Sequence, residues 1–537
     1  MSASAPGTRH VRHHFADADA DNAPVDDETG EGGSRSHDGT LCETDKACIV
    51  TISSTSGRIV QIDSAGSASA VIAAVSAAKA TAAASGCSLS VLRAAVAIPG
   101  LVDMHTHGLT GDGDGCADVV EAWAVPEPSL ARLAAAGTTS VVPSLTFPTH
   151  RWDATCAALC ALARAAGEGR GAGEASKAGV GDLAEAGDSV RAGDLAEAGD
   201  SVRAGDLAEA GDSVRAGDLA EAGDSVRAGD SVRAGIGKAE RSWMGARVLG
   251  VHAEGPVVAD AGGLPDPGKR AWARESAAAV ERVLDAAEEA GIAVKVMTIA
   301  PSADAVSGYA GIAAMVKRGV VPALGHDRSA QWDQVIGALE AAAPSRCHLT
   351  HVFNVQTFHH RLPSLGNLAL MRSLPPSLAH VPMPTAEAVG DGLHLHPTVM
   401  HALATIRPPT SLAWISDSIL TPSAVGDHAY CGRRVAIGSV PGCSTPAVVL
   451  ASGDTDAAPV IAGSCSALLD TVRLLVNELG IALDDAVRTC ATTPADIVGA
   501  DHVGRLAVGA MGDVLLLDAD LALIAVIMGG VLVPASG

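Results

Sequence analysis

The sequence predicts an α/β fold, and two features of its central part carry that prediction. Apolar strand-like segments alternate there with helix-like segments, and the links between them are short. Polar residues that could carry chemistry follow the ends of apolar strands, namely His105, Glu254, His326, His351 and Asp417. The alternation fits either a barrel or a doubly wound sheet, and in a barrel the chemistry collects at the C-terminal ends of the strands.

Each predicted element rests on its residue pattern. Short aliphatic and β-branched runs between turn residues predict strands at 48–52, 58–62, 139–143, 247–252, 293–299, 320–324, 513–518, 524–528 and 530–533. A further short strand carries His105 and His107. Helical patterns, two of them followed by a glycine, predict helices at 130–136, 276–289 and 310–317. The strands near the two chain ends could pair into one small sheet domain beside the central body.

Composition excludes several classes of protein. The formal net charge of −24 argues against a nucleic-acid-binding protein, which would show a basic patch. The 11 cysteines are scattered without a CxxC pair, which favours reduced thiols in a cytoplasmic protein. We expect no signal peptide, because the N-terminal segment lacks an apolar run, and no transmembrane helix or membrane partner.

Two segments are predicted to lie outside the packed core. Residues 1–45 are polar and acidic, and cannot bury enough apolar surface to offset their ordering entropy, so we expect a disordered tail. A 12-residue repeat, GDLAEAGDSVRA, starts at Gly181 and recurs three times. Because each copy has two glycines and only two large aliphatic residues, residues from about 166 to 240 are interpreted as a low-complexity surface insertion.

The candidate chemistry is that of a metal site. Residues i and i+2 of a strand point to the same face, so His105 and His107 can aim two imidazoles at one ion. The alternative is a pair of surface histidines on a loop. Glu254 and further histidines at strand ends add the nitrogen and carboxylate donors that hold a divalent metal for hydrolysis. A nearby aspartate that does not bind the metal, such as Asp417, could take a proton from water and return it to the leaving group.

An ordered set of motifs resembles a known family. The motifs are PGLVDMHTHG (99–108), GVHAEGP (250–256), MTIAP (297–301), ALGHDRSA (323–330), THVFN (350–354) with HHR (359–361), DGLHLHP (391–397), ISD (415–417) and GRLAVGAMGDVLLLDADL (504–521). Together they resemble the amidohydrolase superfamily, and within it the N-acetylglucosamine-6-phosphate deacetylase family. The resemblance covers about 90–537, apart from the repeat insertion.

The resemblance implies a metal-dependent (β/α)8 TIM barrel over 99–506. A small β-sandwich domain would be formed by both chain ends, 46–98 and 507–537. The implied reaction is hydrolysis of the N-acetyl group of N-acetylglucosamine 6-phosphate by a metal-activated water, giving glucosamine 6-phosphate and acetate. The implied cofactor is one or two divalent ions per chain, with zinc favoured and iron or manganese also suited to these donors.

The resemblance also implies roles for individual residues. The main metal ligands would be Glu254, His326 and His351, with His105 and His107 as a second site that Glu254 bridges. Asp417 would be the general acid/base. The substrate-binding residues would be Asn354, Val355, His360, Arg361 and His394. Arginine suits the 6-phosphate because its planar fork meets phosphate oxygens bidentately, in the family often across a homodimer interface.

The sequence departs from the family pattern at three places. Val355-Gln356-Thr357 replaces the usual Ala-Met-Pro after Asn354, and the chain is one residue short before His359. The family often has a histidine after EGP that polarises the amide carbonyl. Pro265 occupies that position here, so that role would fall to the metal or to His394. The repeat insertion is the third departure.

Two alternatives to this function stay open. One is another amidohydrolase that acts on a cyclic amide or an N-acyl amino acid, and Arg361 discriminates it from a sugar-phosphate enzyme. The other is an inactive scaffold whose acidic repeat recruits a partner. The presence of all expected ligands and of Asp417 argues against the scaffold.

Overall fold

A computed structural model of the chain describes residues 47–52, 57–65, 94–111, 123–147, 151–168, 245–264, 274–424, 428–430, 433–439, 446–450 and 461–534. The predicted tail at 1–45, the repeats and Pro265 lie outside the described residues. Among the helices of the described part, none combines the length and the apolar character needed to cross a membrane.

The described strands are numbered in chain order. They are β1 (Ala47–Ile52), β2 (Ile59–Ala65), β3 (Val96–Pro99), β4 (Leu101–Thr106), β5 (Thr138–Thr146), β6 (Arg247–Val248), β7 (Val251–Glu254), β8 (Val294–Ile299), β9 (Val321–Leu324), β10 (His348–Leu349), β11 (Thr385–Val389), β12 (Leu412–Ile415), β13 (His428–Tyr430), β14 (Arg433–Ser439), β15 (Pro446–Leu450), β16 (Ile461–Gly463), β17 (Val514–Leu517), β18 (Leu523–Met528) and β19 (Val531–Leu532).

Strands β4 to β12 form the central parallel sheet. Its order is β12-β11-β10-β9-β8-β7-β5-β4, with β6 paired to β5. Beyond the strand ends, the backbone N–H of Asp417 donates to the carbonyl of His105 at 3.1 Å, and that of His107 to the carbonyl of Ser418 at 2.9 Å. The segment after β12 therefore meets the end of β4, which brings the sheet close to closure. The predicted (β/α)8 barrel is confirmed, and the doubly wound alternative is wrong.

The described α-helices lie between and after these strands. They are α1 (Glu127–Ala135), α2 (Trp152–Glu168), α3 (Ser276–Ala290), α4 (Pro301–Asp304), α5 (Ala310–Lys317), α6 (Trp332–Ala342), α7 (Leu365–Ala369), α8 (Pro397–Ile406), α9 (Leu468–Arg473), α10 (Leu483–Cys490) and α11 (Thr492–Ile497).

Helix α3 shows why the sequence forms these elements. Val280, Val283, Leu284 and Ala287 are buried, and their spacing places them on one face of the helix. The helix ends at Gly291, which adopts the left-handed conformation (φ +81°) that favours glycine. The predicted end at this glycine therefore agrees with the structure.

One predicted strand is broken in the structure. Residues 247–252 form β6 and β7 rather than one strand, and Gly250 between them has a φ of +142°. A Cβ atom there would lie 2.7 Å from the carbonyl oxygen of Ala293. The break lets β6 pair with β5 near its start, while β7 pairs with β5 near its end and with β8.

Smaller sheets lie beside the barrel. Strand β3 pairs antiparallel with β17, which continues into β18 and β19, so strands from both ends of the chain share one sheet. The hairpin of β1 and β2 joins the same region, since the N–H of Ile59 donates to the carbonyl of Ala510 at 2.8 Å. A four-stranded antiparallel sheet, β13-β14-β15-β16, follows β12, and no sequence signal had indicated it. The domain boundaries given above stay a prediction.

Candidate metal centre

The candidate donors stand at the C-terminal ends of the barrel strands. Glu254 ends β7, His326 follows β9, His351 follows β10 and Asp417 follows β12, and all four are buried. Three of them have left-handed backbone, with φ of +49° at His326, +22° at His351 and +48° at Asp417. Non-glycine residues in this region carry strain, which concentrates at functional sites. The strained backbone at these three positions therefore supports a functional site here.

One group of donors meets at a single oxygen of Glu254. The Oε1 atom lies 2.8 Å from Nε2 of His326 and 3.0 Å from Nε2 of His351. The two Nε2 atoms are themselves 3.0 Å apart. His326 is oriented from behind, because its Nδ1 lies 2.9 Å from the carbonyl oxygen of Asp260. Three candidate donor atoms thus lie within 3.0 Å of one another, and their role as metal ligands stays a prediction.

A second group of donors lies near the same carboxylate. Nε2 of His107 lies 3.4 Å from Oε2 of Glu254 and 3.5 Å from Oδ1 of Asp417. Nε2 of His105 lies 3.6 Å from Oε1 of Glu254 and 3.6 Å from Oδ1 of Asp417. Ligands held about 2.1 Å from a metal in a tetrahedron are about 3.4 Å apart. These spacings suit donors around an ion better than hydrogen-bonded pairs.

Unpaired buried atoms support the fit to a metal. Nε2 of His105 and Oε2 of Glu254 are fully buried and have no hydrogen-bond partner among the described residues. Buried polar atoms are ordinarily satisfied. Two sets of donor side chains lie close enough together to hold an ion. They are His105–Glu254–His351 and His105–His107–Asp417. The residues present therefore fit one divalent ion and, beside it, a second.

The buried carboxylates and imidazoles of this cluster shift one another's pKa values. Burial would raise the pKa of Glu254, but the surrounding histidines, led by His105, hold it well below its usual range. Burial would lower the pKa of His105, but the charges of Glu387 and Glu254 raise it well above its usual range. Burial, aided by the charge of His105, lowers the pKa of His252 to about 3. The cluster thus keeps Glu254 ionised as a metal ligand must be.

His394 forms a pair with Asp391 in the loop after β11. Nδ1 of His394 lies 2.7 Å from Oδ2 of Asp391, whose Oδ1 accepts from the backbone N–H groups of Leu393 and His394. Burial opposes the charge on His394, but Asp391 and then Asp417 raise its pKa. Asp391 therefore both orients the His394 ring and favours its charged form.

The remaining predicted site residues are not gathered at the cluster. Asn354 is half-buried, and its N–H donates to the carbonyl of His351 at 2.9 Å. Val355 is buried, with a φ of +51°, beside Gly262. His360 and Arg361 are exposed, and neither contacts the donor cluster in the described part of the chain. Within one chain, the predicted phosphate-binding residues His360 and Arg361 therefore do not reach the metal donors.

Sequence reasoning missed two buried residues beside the site. Glu387, in the middle of β11, lies 2.6 Å from Nδ1 of His105. Tyr430, from β13, places its hydroxyl 3.4 Å from Nε2 of His107. A lone carboxylate inside the apolar strand TAEAV was the available signal for Glu387. The sequence carried no comparable signal for Tyr430.

These features define a class: a (β/α)8 barrel whose strand ends present donors for a divalent metal. No family model matches the chain. The chain is 26% identical over 296 residues to N-acetylglucosamine-6-phosphate deacetylase of Bacillus subtilis (strain 168). It is also 26% identical over 288 residues to N-acetylgalactosamine-6-phosphate deacetylase of Escherichia coli O157:H7.

A solved structure agrees with these matches. The N-acetyl-D-glucosamine-6-phosphate deacetylase of Mycobacterium smegmatis superposes with a TM-score of 0.56 at 23% identity, over 91% of this chain and 95% of that one, which supports the fold. The curated alignments span 54% and 53% of this chain, and 66% and 68% of the Bacillus and Escherichia proteins. About two thirds of each relative is therefore matched. The resemblance drawn from the motifs is confirmed.

Proposed function

We propose that this protein hydrolyses the N-acetyl group of N-acetylglucosamine 6-phosphate, giving glucosamine 6-phosphate and acetate. The observation that carries the proposal is the placement of Glu254, with His326 and His351 on one of its oxygens and His107 on the other, beside Asp417. The names of the similar proteins support an amino-sugar 6-phosphate as the substrate.

The chain offers two positions for a divalent ion. Glu254, His326 and His351 would hold the first, and His105 and His107, together with Glu254, would hold the other. Such an ion supplies Lewis acidity toward the amide carbonyl and lowers the pKa of a coordinated water. We propose zinc, although iron and manganese suit the same donors.

Proton transfer falls to Asp417. Its buried carboxylate lies beside both histidines of the second donor group, where it can accept a proton from the attacking water. It then delivers that proton to the amide nitrogen as the C–N bond breaks, so that the amino sugar leaves as a neutral amine. His394, held by Asp391, orients the substrate carbonyl or hydroxyl groups and takes the place of the carbonyl-polarising histidine that the sequence lacks.

The exposed position of Arg361, the proposed phosphate-binding residue, supports a site that is completed by a second copy of the chain. The Arg361 guanidinium makes no hydrogen bond or ion pair within the described residues, and it is flanked by exposed Phe358 (54% exposed) and Leu362 (67%). An unpaired guanidinium between exposed apolar side chains suits an interface between two copies of the chain. There the guanidinium would bind the phosphate of the substrate in the partner's site. We therefore propose a homodimer. We also propose a cytoplasmic location, which the scattered cysteines without a CxxC pair favour.

The test is acetate release by purified protein loaded with zinc, iron or manganese. The substrates are N-acetylglucosamine 6-phosphate and its galacto epimer, because the two curated relatives differ in that respect at equal identity. Acetate from the gluco substrate supports the proposal, and acetate from the galacto epimer alone would show that the galacto sugar phosphate is the substrate instead. Metal-loaded protein that releases no acetate from either substrate contradicts the proposed deacetylase activity.

Arg361→Ala is expected to lower kcat/KM for the phosphorylated substrate by about 10–100-fold, because bonds between charged groups are worth about 1.5–3 kcal/mol. Unphosphorylated N-acetylglucosamine should be turned over by the variant and the parent alike. Arg372→Ala, another exposed arginine, serves as the matched control. Equal losses on both substrates would remove the sugar-phosphate assignment.

The His105→Ala, His107→Ala double variant is expected to bind one metal ion per chain, against two for the parent. Both changes remove imidazoles that face Glu254 and leave the His326–His351 group intact. Elemental analysis after gel filtration gives the stoichiometry, with the exposed pair His380→Ala, His401→Ala as control. A parent with one ion, unchanged in the double variant, would rule out the second position.

A further inference from the structure

Glu387 is a fully buried carboxylate that the proposed reaction does not use. Ala386 and Ala388 pack into the main apolar cluster, and Glu387 between them faces the other side of β11. There its Oε1 lies 2.6 Å from Nδ1 of His105 and 3.2 Å from the backbone N–H of His351. Its Oε2 lies 3.2 Å from Nε2 of His348. Three groups thus converge on one buried anion.

The spacing decides between two explanations of this cluster. His105, His252 and Glu387 are close enough to hold an ion. However, atoms that share a metal with bonds of about 2.0 Å stay about 2.8 Å or more apart. The 2.6 Å separation of Glu387 and His105 is instead that of a charge-assisted hydrogen bond. The His105 imidazole is therefore the donor and the carboxylate the acceptor.

We propose that Glu387 is a positioning residue that fixes the tautomer and the orientation of His105. With a proton held on Nδ1 by Glu387, the ring directs Nε2 toward the position of the ion, as metal-binding histidines do. That Nε2 is buried, lacks a partner among the described residues, and lies 3.6 Å from both Glu254 and Asp417. Without the carboxylate, the ring could rotate or place its proton on Nε2.

His348 holds Glu387 in place from the far side. Its Nε2 donates to Glu387, while its Nδ1 accepts from Oγ1 of Thr385 at 2.8 Å. Thr385 is two residues before Glu387 on the same strand, so the bonds tie the imidazole of β10 to β11 at two points. A carboxylate anchored in this way resists rotation, so it can hold His105 in one orientation.

The test measures metal binding without substrate, so its result is independent of whether acetate is released. The inference rests on the proposed function only in taking His105 as a metal donor. Apoprotein is titrated with Co²⁺ against a competing chelator for the parent, Glu387→Ala, His105→Ala and the double variant. Removing a carboxylate that orients a ligand typically costs 10–100-fold in metal affinity. We expect Glu387→Ala to weaken the weaker of two cobalt sites by that factor and to alter its visible spectrum.

The double-variant comparison separates positioning from general damage. In the His105→Ala background, Glu387→Ala should weaken cobalt binding by no more than about twofold, because, of the remaining contacts of Glu387, with the His351 backbone and His348, only the first involves a proposed metal donor. Thr298→Val, which removes a buried hydroxyl bonded to His252 but not to Glu387, should bind cobalt as the parent does. An equal loss with and without His105, or no loss in Glu387→Ala, would overturn the proposal.

Glu387→Gln keeps the test decisive if the alanine variant does not fold. The amide oxygen can still accept from Nδ1 of His105, but the charge assistance is lost, so we expect about fivefold weaker cobalt binding. Circular dichroism establishes that the variant is folded. Parent-like cobalt affinity in a folded Glu387→Gln would count against the proposal.

Discussion

Glu254→Ala is expected to leave the protein with almost no bound metal and with kcat lower by about 10³-fold or more. One carboxylate oxygen faces His326 and His351, and the other faces His107, so a single substitution removes a donor from both groups. Metal polarisation is worth several kcal/mol of transition-state stabilisation, and each 1.36 kcal/mol is tenfold in rate. Elemental analysis and acetate release measure the two effects.

Two variants make that expectation specific. Glu254→Gln retains the shape of the side chain without its charge, and it should bind metal more weakly than the parent. Glu289→Ala removes an exposed carboxylate at the end of α3 and should change neither quantity. A Glu254→Ala protein that retained two ions per chain would show that the metal lies elsewhere.

Asp417→Asn is expected to lower kcat by about 10²–10⁴-fold, the usual contribution of a positioned general acid/base. The amide keeps the size of the carboxylate but cannot accept the water proton. Because Asp417 is not among the donors of the Glu254–His326–His351 group, the ion held there should remain. Stopped-time acetate assays and elemental analysis on the same preparation separate the chemistry from metal loss.

The comparison for Asp417 is Asp333→Asn, which removes an exposed carboxylate in α6 and should behave as the parent. If Asp417→Asn kept more than a tenth of the parent kcat with full metal content, proton transfer would have to be assigned to another group. His394, with its raised pKa, would be the next residue to vary.

The sequence predicted most of what local pattern controls. Helix α5 was predicted with its observed bounds, and α3 with its end at Gly291. The carboxylate and imidazoles that follow apolar strands could be predicted because the ends of parallel strands meet at one edge. Their burial and convergence in the structure follow from that rule.

Other features depend on neighbours that a single sequence does not reveal. Glu387 belongs to the site only because β11 pairs with β10 in a register that places it near His348 and His105. Gly250 interrupts a run that has strand character, because a neighbouring carbonyl leaves no room for a side chain. The sheet from β13 to β16 was missed, and with it the contact of Tyr430 with His107.

The left-handed backbone at His326, His351 and Asp417 lowers thermal stability at the same three positions whose side chains the proposed chemistry needs. Each such residue costs about 1–3 kcal/mol, a strain that glycine would relieve. A selection for thermal stability alone would thus favour glycine where the chemistry needs a donor or a base. Efforts to stabilise this protein should leave these three positions fixed and seek stabilisation in the outer helices instead.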